Sequence, residues 1–407
     1  MTMKSLMNLY RVGPGPSSSH TIAPYNAALA FKRFAGDVDS FKVTFYGSLA
    51  FTGVGHKSDE AIRKALGNVI FEFDRETVPP RPLTMRFEAF KDNAKVKEAT
   101  YFSLGGGQLQ SEDDPSVNER DVYPFLDLRS ILDFMGRRGM HDFKEFALKF
   151  EKPEIDDYLM DVVKTMIETV EKGLKETGKL PANDNPRLEY YRSAGKIFRQ
   201  AHDLVGGEGR RSLFITAYAY AVAESSSNGE TVVTSPTCGS SGVLPSVLYY
   251  AYHNEKMPLS KIRDSLYAAG IIGNIVKQNA SIAGSVGGCA AEIGTASAMA
   301  AAAMCALMDL TPYQIEYGAE VSMEHFLGLT CDPVDGYVII PCIERNGMGA
   351  VHAYASYLYA RFVAPIRKNQ VSFDDVVAAM KITGDSLDED YKETAQGGLA
   401  KILEKNC

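Results

Sequence analysis

The sequence predicts an α+β protein in two parts: an N-terminal α/β domain over residues 1–130 and a larger, mostly α-helical domain over residues 140–407. Three observations carry this. Before residue 130, segments of period-two alternation interleave with a segment of helical period. After residue 140, apolar residues recur at helical spacing and give way to alanine-rich runs. The length of 407 residues, 45% of them hydrophobic, suits two domains better than one.

Taken in order, a rigid loop rich in glycine and proline precedes a helix beginning near Pro24. Phe41, Val43 and Phe45 alternate with polar residues, and the run breaks at Gly47. Ala61, Ile62, Ala65, Leu66, Val69 and Ile70 fall at helical spacing, with Ser58 and Asp59 suited to cap the start. Strand-like segments near Leu83–Phe90 and Ala99–Leu104 lead to the triple glycine Gly105–Gly107. In the second part, Leu159, Val163, Met166, Ile167, Val170 and Leu174 form a helical stripe, which ends in a loop from Gly178 to Pro186. Thr231–Thr234 reads as a strand, and Ala290–Met308 as a helix of small residues that packs closely.

The formal charge is −8 and no long basic run occurs, which argues against nucleic acid as a partner. The first ten residues lack the pattern of a signal peptide. The longest uncharged stretch, Ile293–Met308, is short for a bilayer, so no membrane is expected and the cytoplasm is the default location. Six scattered cysteines are too few for a disulfide scaffold, and none forms a C-x-x-C pair. A metal centre, reduced thiols and core packing all remain open. Cys305, inside the alanine-rich helix, is assigned to the core. Cys289, Cys331 and Cys342 lie in expected loops, where a thiol is a better ligand candidate.

Four segments carry chemistry. Ser17, Ser18, Ser19, His20 and Thr21 crowd a helix entrance, where hydroxyls and the helix dipole can hold a carboxylate or phosphate. The plain alternative is that they only cap the helix. His56 sits between a strand and a helix start, a common place for a functional side chain. Thr237, Ser240 and Ser241 make a second hydroxyl-rich loop beside Cys238. Asn279 opens a third small-residue segment that ends on Cys289. Lys277 is the one lysine entertained for a pyridoxal-phosphate alternative.

Together these segments resemble the iron–sulfur L-serine dehydratases (L-serine ammonia-lyases). The matching stretches are GPSSSHT at 15–21, YGSLAFTGVGH at 46–56, YFSLGGG at 101–107, NASIAGSVGGCAAEIG at 279–294, MEHFLGLTCDPVDGYVIIPCIERN at 323–346 and GGLA at 397–400. The resemblance runs end to end and follows the single-chain form, β domain first. It implies a [4Fe–4S] cluster on Cys289, Cys331 and Cys342, with Cys407 filling the open iron site until substrate displaces it. It implies L-serine as substrate; the hydroxyl-rich loops are expected to bind it, through Ser17, Ser18, Ser19 and Thr21 with help from Thr237, Ser240, Ser241 and Asn279. His56 and His20 are the candidate bases, with Ser103 beside the triple glycine as a helper. A cytoplasmic homodimer serving amino-acid degradation and gluconeogenesis is expected. Two departures stand out: Cys238 and Ser240 replace the usual asparagine and alanine, and Arg81 replaces a histidine common in relatives. A cysteine- or threonine-directed lyase, a zinc centre and a non-catalytic amino-acid-binding regulator are the alternatives.

Overall fold

Residues 23–110 form a sheet with helices against one face; the computed structural model describes residues 2–54, 56–180, 188–204 and 206–405. Helix α1 (Ala23–Ala35) leads into β1 (Ser40–Gly47), and α2 (Ser58–Leu66) crosses to β2 (Val69–Asp74), parallel to β1. Strands β3 (Leu83–Lys91), β4 (Ala94–Ser103) and β5 (Leu109–Gln110) add antiparallel, giving the order β2-β1-β3-β4-β5. Asp92 and Asn93, both at positive φ, make the tight turn between β3 and β4. The alternation in β1 buries Phe41, Val43 and Phe45 on one face, where they pack with Phe31 of α1, Phe87 and Tyr101.

Two local expectations in this part are corrected. Val69 and Ile70 do not extend the helix, because Gly67 at φ +87° ends α2 and the next residues enter β2. Ser58 does not cap α2 either. Lys57, at φ +57°, occupies the cap position, and the Ser58 hydroxyl donates instead to the His20 carbonyl. The helix is thereby tied to the serine-rich loop.

The helical part is built on α3 (Ile155–Gly173), which buries Leu159, Val163, Met166 and Val170 of the stripe read from the sequence, while Ile167 and Leu174 are only half-buried. Of the expected loop at 178–186, Lys179–Leu180 pairs with Tyr190–Tyr191, and residues 181–187 lie outside the described residues. Helices α4 (Gly207–Ser227), α5 (Val243–His253), α6 (Leu259–Asn279), α7 (Thr295–Leu307), α8 (Pro312–Glu324) and α9 (Cys342–Phe362) follow. Helix α7 is the hub, packed against α5, α6, α8 and α9 and buried at every residue but Ala306. Its small side chains permit that approach, and Cys305 sits fully within the core. Gly284–Leu307 has the length and composition to cross a membrane, yet 89% of its most apolar window is buried inside the protein.

The N-terminal strands join the two parts. Met3–Lys4 pairs with Asp121–Tyr123, and Val12–Pro14 pairs with Thr231–Val233. Met3, Leu6, Leu9 and Tyr10 are buried in the helical core. This routing sets the loop before α1 at the junction of the sheet and the helices.

Candidate active site and metal centre

A cavity of about 440 Å³ lies at that junction. Its walls come from Pro16–His20 and Ser103–Gly106 on one side and from Thr237, Ala283–Val286, Glu292, Cys331, Cys342 and Glu393 on the other. Two π-helical turns, Ser18–Ile22 and Ala290–Gly294, supply parts of these walls. Such widened turns present side chains that a regular helix start would turn away.

In the first turn, Ser17 does cap: its hydroxyl accepts from the His20 N–H at 3.1 Å. Ser17, Ser18, Ser19 and His20 all line the cavity. His20 Nδ1 is 3.0 Å from Ser19 Oγ, and its ring stacks on His56 at 4.5 Å. His56 Nδ1 lies 3.1 Å from the Thr52 carbonyl, and the Thr21 hydroxyl donates to the His56 carbonyl at 2.7 Å. His56 and Thr21 therefore back His20 rather than line the cavity. Burial, and secondarily the neighbouring His56, push His20 down to about 3; burial also lowers His56. Burial thus favours the neutral form of both rings. Ser103 closes β4 with a buried hydroxyl that lacks a hydrogen-bond partner among the described residues.

The second hydroxyl loop divides its work. Thr237 lines the cavity and donates to Glu292 Oε1 at 2.6 Å. Ser240 supports it, with its Oγ 3.0 Å from Thr237 Oγ1. Ser241 is turned to the Cys238 carbonyl, which accepts its hydroxyl at 2.8 Å. Asn279 is not brought in: its amide donates to the Leu126 carbonyl at 2.6 Å. Cys238 is buried in the helical part, where burial pushes its thiol up. Arg81 lines the cavity, with its guanidinium over the Phe102 ring at 5.2 Å.

Three thiols gather at one corner. Cys289 ends a short helix (Gly284–Cys289), and Cys331 follows α8 in an extended segment bridged to Lys392. Cys342 is the first residue of α9, so the expected loop position is a helix N-terminus. The Cys289 and Cys331 sulfurs and a Glu292 carboxylate oxygen all lie within 4.8 Å of one another. A hydrogen bond with Cys289, then burial, pushes the Cys331 thiol well up. Burial and the charges of Cys289 and Glu292 do the same at Cys342. The Arg345 guanidinium hydrogen-bonds Cys289 and is held by the Thr330 carbonyl at 2.7 Å and Asp332 at 3.0 Å. Gly239 and Gly284 keep the corner open. A Cβ on Gly284 would sit 3.0 Å from both Cys331 Sγ and Glu292 Oε2, and one on Gly239 would sit 3.1 Å from Glu292 Oε1. Cys407 lies outside the described residues.

Two carboxylates complete the site that sequence reasoning did not single out. Burial raises Glu292, and burial together with Glu292 pushes Glu393 up to about 8. A signal for Glu292 was available: it is the single charged residue between Lys277 and Asp309. Lys277 is engaged elsewhere, 3.2 Å from Glu119, and no lysine among the described residues lines the cavity, which leaves the pyridoxal-phosphate alternative without a Schiff-base partner among them.

Comparison with known proteins agrees along the whole chain. The family described as "Serine dehydratase alpha chain" matches residues 75–400, and "Serine dehydratase beta chain" matches residues 5–69. An L-serine dehydratase of Helicobacter pylori strain J99 is 34% identical over 466 aligned positions, covering 99% of this chain and all of the relative. L-serine dehydratase 1 of Escherichia coli K12 is 34% identical, covering 98% of this chain and 99% of the relative. An L-serine dehydratase of Streptomyces coelicolor is 34% identical, with 97% and 98% covered.

Proposed function

Because the chain belongs to the serine dehydratase family, in the single-chain form with the β part ahead of the α part, it is a lyase, and we propose that it converts L-serine to pyruvate and ammonia using a [4Fe–4S] cluster on Cys289, Cys331 and Cys342. The observation that supports this best is one cavity walled by thiols on one side and by the Ser17–His20 turn on the other. The donor set fits such a group. Thiolates are the ligands of iron–sulfur clusters. Buried thiols held protonated on their own give up their protons to a metal. Arg345 offsets part of the resulting charge, and Gly239 and Gly284 leave space that any Cβ would fill. Held by these three thiolates, with Cys407 expected to give way to substrate, such a cluster would supply a Lewis acid for the substrate hydroxyl.

The chain's own residues bind, orient and move the proton. The Ser18 and Ser19 hydroxyls at the helix entrance receive the substrate carboxylate. His20, held neutral and braced by His56, accepts the Cα proton. Desolvation alone makes it a weak base, but a carboxylate bound beside it raises its proton affinity when substrate is present. The Ser103 hydroxyl, without a partner among the described residues, donates to the substrate from the same side of the cavity. Loss of water gives aminoacrylate, which tautomerises to the imine and hydrolyses to pyruvate and ammonia. We infer from the resemblance that this happens in the cytoplasm, in a homodimer, as part of amino-acid degradation feeding gluconeogenesis.

The test is anaerobic purification, iron and sulfide analysis, and a pyruvate assay with L-serine, L-threonine and L-cysteine. Turnover of serine above the other two is expected. Faster turnover of cysteine or threonine overturns the substrate assignment. His20→Ala is expected to abolish turnover and His56→Ala to slow it, and the reverse order exchanges their roles.

A further inference from the structure

We propose that Glu393 is the receptor for the substrate's α-ammonium group, a role that rests on the amino-acid substrate argued above. The segment that carries it is clamped to a thiol residue. The Cys331 N–H donates to the Tyr391 carbonyl at 2.8 Å, and the Glu393 N–H returns to the Cys331 carbonyl at 2.8 Å. Glu393 itself sits at φ +64°, a left-handed conformation that bulky residues adopt at a cost. Strained positions of this kind persist where surrounding contacts hold them, and they cluster at binding sites. The strained turn delivers the carboxylate to the cavity wall, where the Ser285 N–H donates to it.

Charge decides between the two carboxylates of the cavity. Glu292 is occupied: Thr237 donates to it, the Cys289 and Cys331 sulfurs crowd it, and Gly239 and Gly284 close against it. Glu393 makes no ion pair among the described residues, since its neighbour Lys392 bridges to Glu389 at 2.9 Å. A carboxylate set into a low-dielectric wall without a cation is unfavourable on its own. An amino acid brings the missing cation. Its carboxylate goes to Ser18 and Ser19, its hydroxyl to the thiol corner and its ammonium to Glu393. Three attachment points at one tetrahedral carbon select a single enantiomer.

The experiment uses anaerobic holoenzyme and two ligands that do not react: L-alanine, which has the ammonium, and 3-hydroxypropanoate, which lacks it. Binding is measured by titration calorimetry. In Glu393→Gln, L-alanine is expected to bind roughly 10- to 100-fold more weakly, the loss of one charge-assisted contact, while 3-hydroxypropanoate stays within about twofold. The KM for L-serine should rise by a similar factor. Equal weakening of both ligands, or unchanged binding of L-alanine, overturns the assignment. Glu393→Asp, which keeps the charge, should recover part of the L-alanine affinity; no recovery over the glutamine variant also counts against it. Wild-type enzyme that binds L-alanine but makes no pyruvate from L-serine contradicts the dehydratase reading and leaves this contact standing.

Discussion

At the scale of single residues, position in the fold separates groups that the sequence offers as equals. His20 and His56 both stood in motif-bearing loops, yet only His20 reaches the cavity, with His56 stacked against it. Nothing along the chain could distinguish them, because the distinction is made by the Ser58–His20 contact between helix and loop. The thiols were legible only through their surrounding motifs. Glu292 and Glu393 were missed because their burial comes from segments distant in sequence. Gly284→Ala tests the packing of the thiol corner: a methyl 3.0 Å from Cys331 Sγ should cost iron content while circular dichroism stays that of the wild type. His20 carries a pH signature. Its folded pKa, about 3, lies below its ordinary 6.5, so the unfolded chain binds more protons between these values. Its contribution to stability is therefore full above about pH 6.5 and falls as pH drops towards 3. Chemical denaturation at pH 7 and pH 5 should show a smaller acid loss in His20→Asn than in the wild type, and an equal loss would contradict the burial argument.

At the scale of elements, period reading succeeded where one face is buried and failed where a terminus decides. Strand β1 and helix α3 fall where their alternation and stripe indicate, because each must bury one face. Val69 and Ile70 fit a helical wheel equally well, and the positive φ of Gly67 settled the matter. Cys342 was expected in a loop, yet it opens α9 with Pro341 at the cap position, and proline is compatible with a helix start. Helix α1 is held to the sheet mainly through Phe31, whose ring lies 5.4 Å from Phe87 and 6.1 Å from Phe41. Phe31→Ala should destabilise the protein by about 3–5 kcal/mol in denaturant unfolding. A loss below about 1 kcal/mol would mean that the helix is anchored elsewhere.

At the scale of the whole molecule, the order of β-type and α-type parts was readable from composition and period, and the junction between them was not. Leu6, Leu9 and Tyr10 look like the start of the first part, yet they are buried in the helical core. Pairing of Val12–Pro14 with Thr231–Val233, more than 200 residues away, is a long-range contact that no local pattern encodes. That pairing brings the Ser17–His20 turn to the thiols, so the cavity exists only in the assembled chain. The account turns on whether those thiols hold an iron–sulfur cluster that the dehydration needs. The measurement that tests this most directly is iron, sulfide and pyruvate formation from L-serine on anaerobically purified wild type and Cys331→Ala in parallel. The wild type should carry about four iron and four sulfide per chain and make pyruvate, with cluster and activity both lost in the variant. A Cys331→Ala protein that keeps a stable cluster and turns over serine would contradict it.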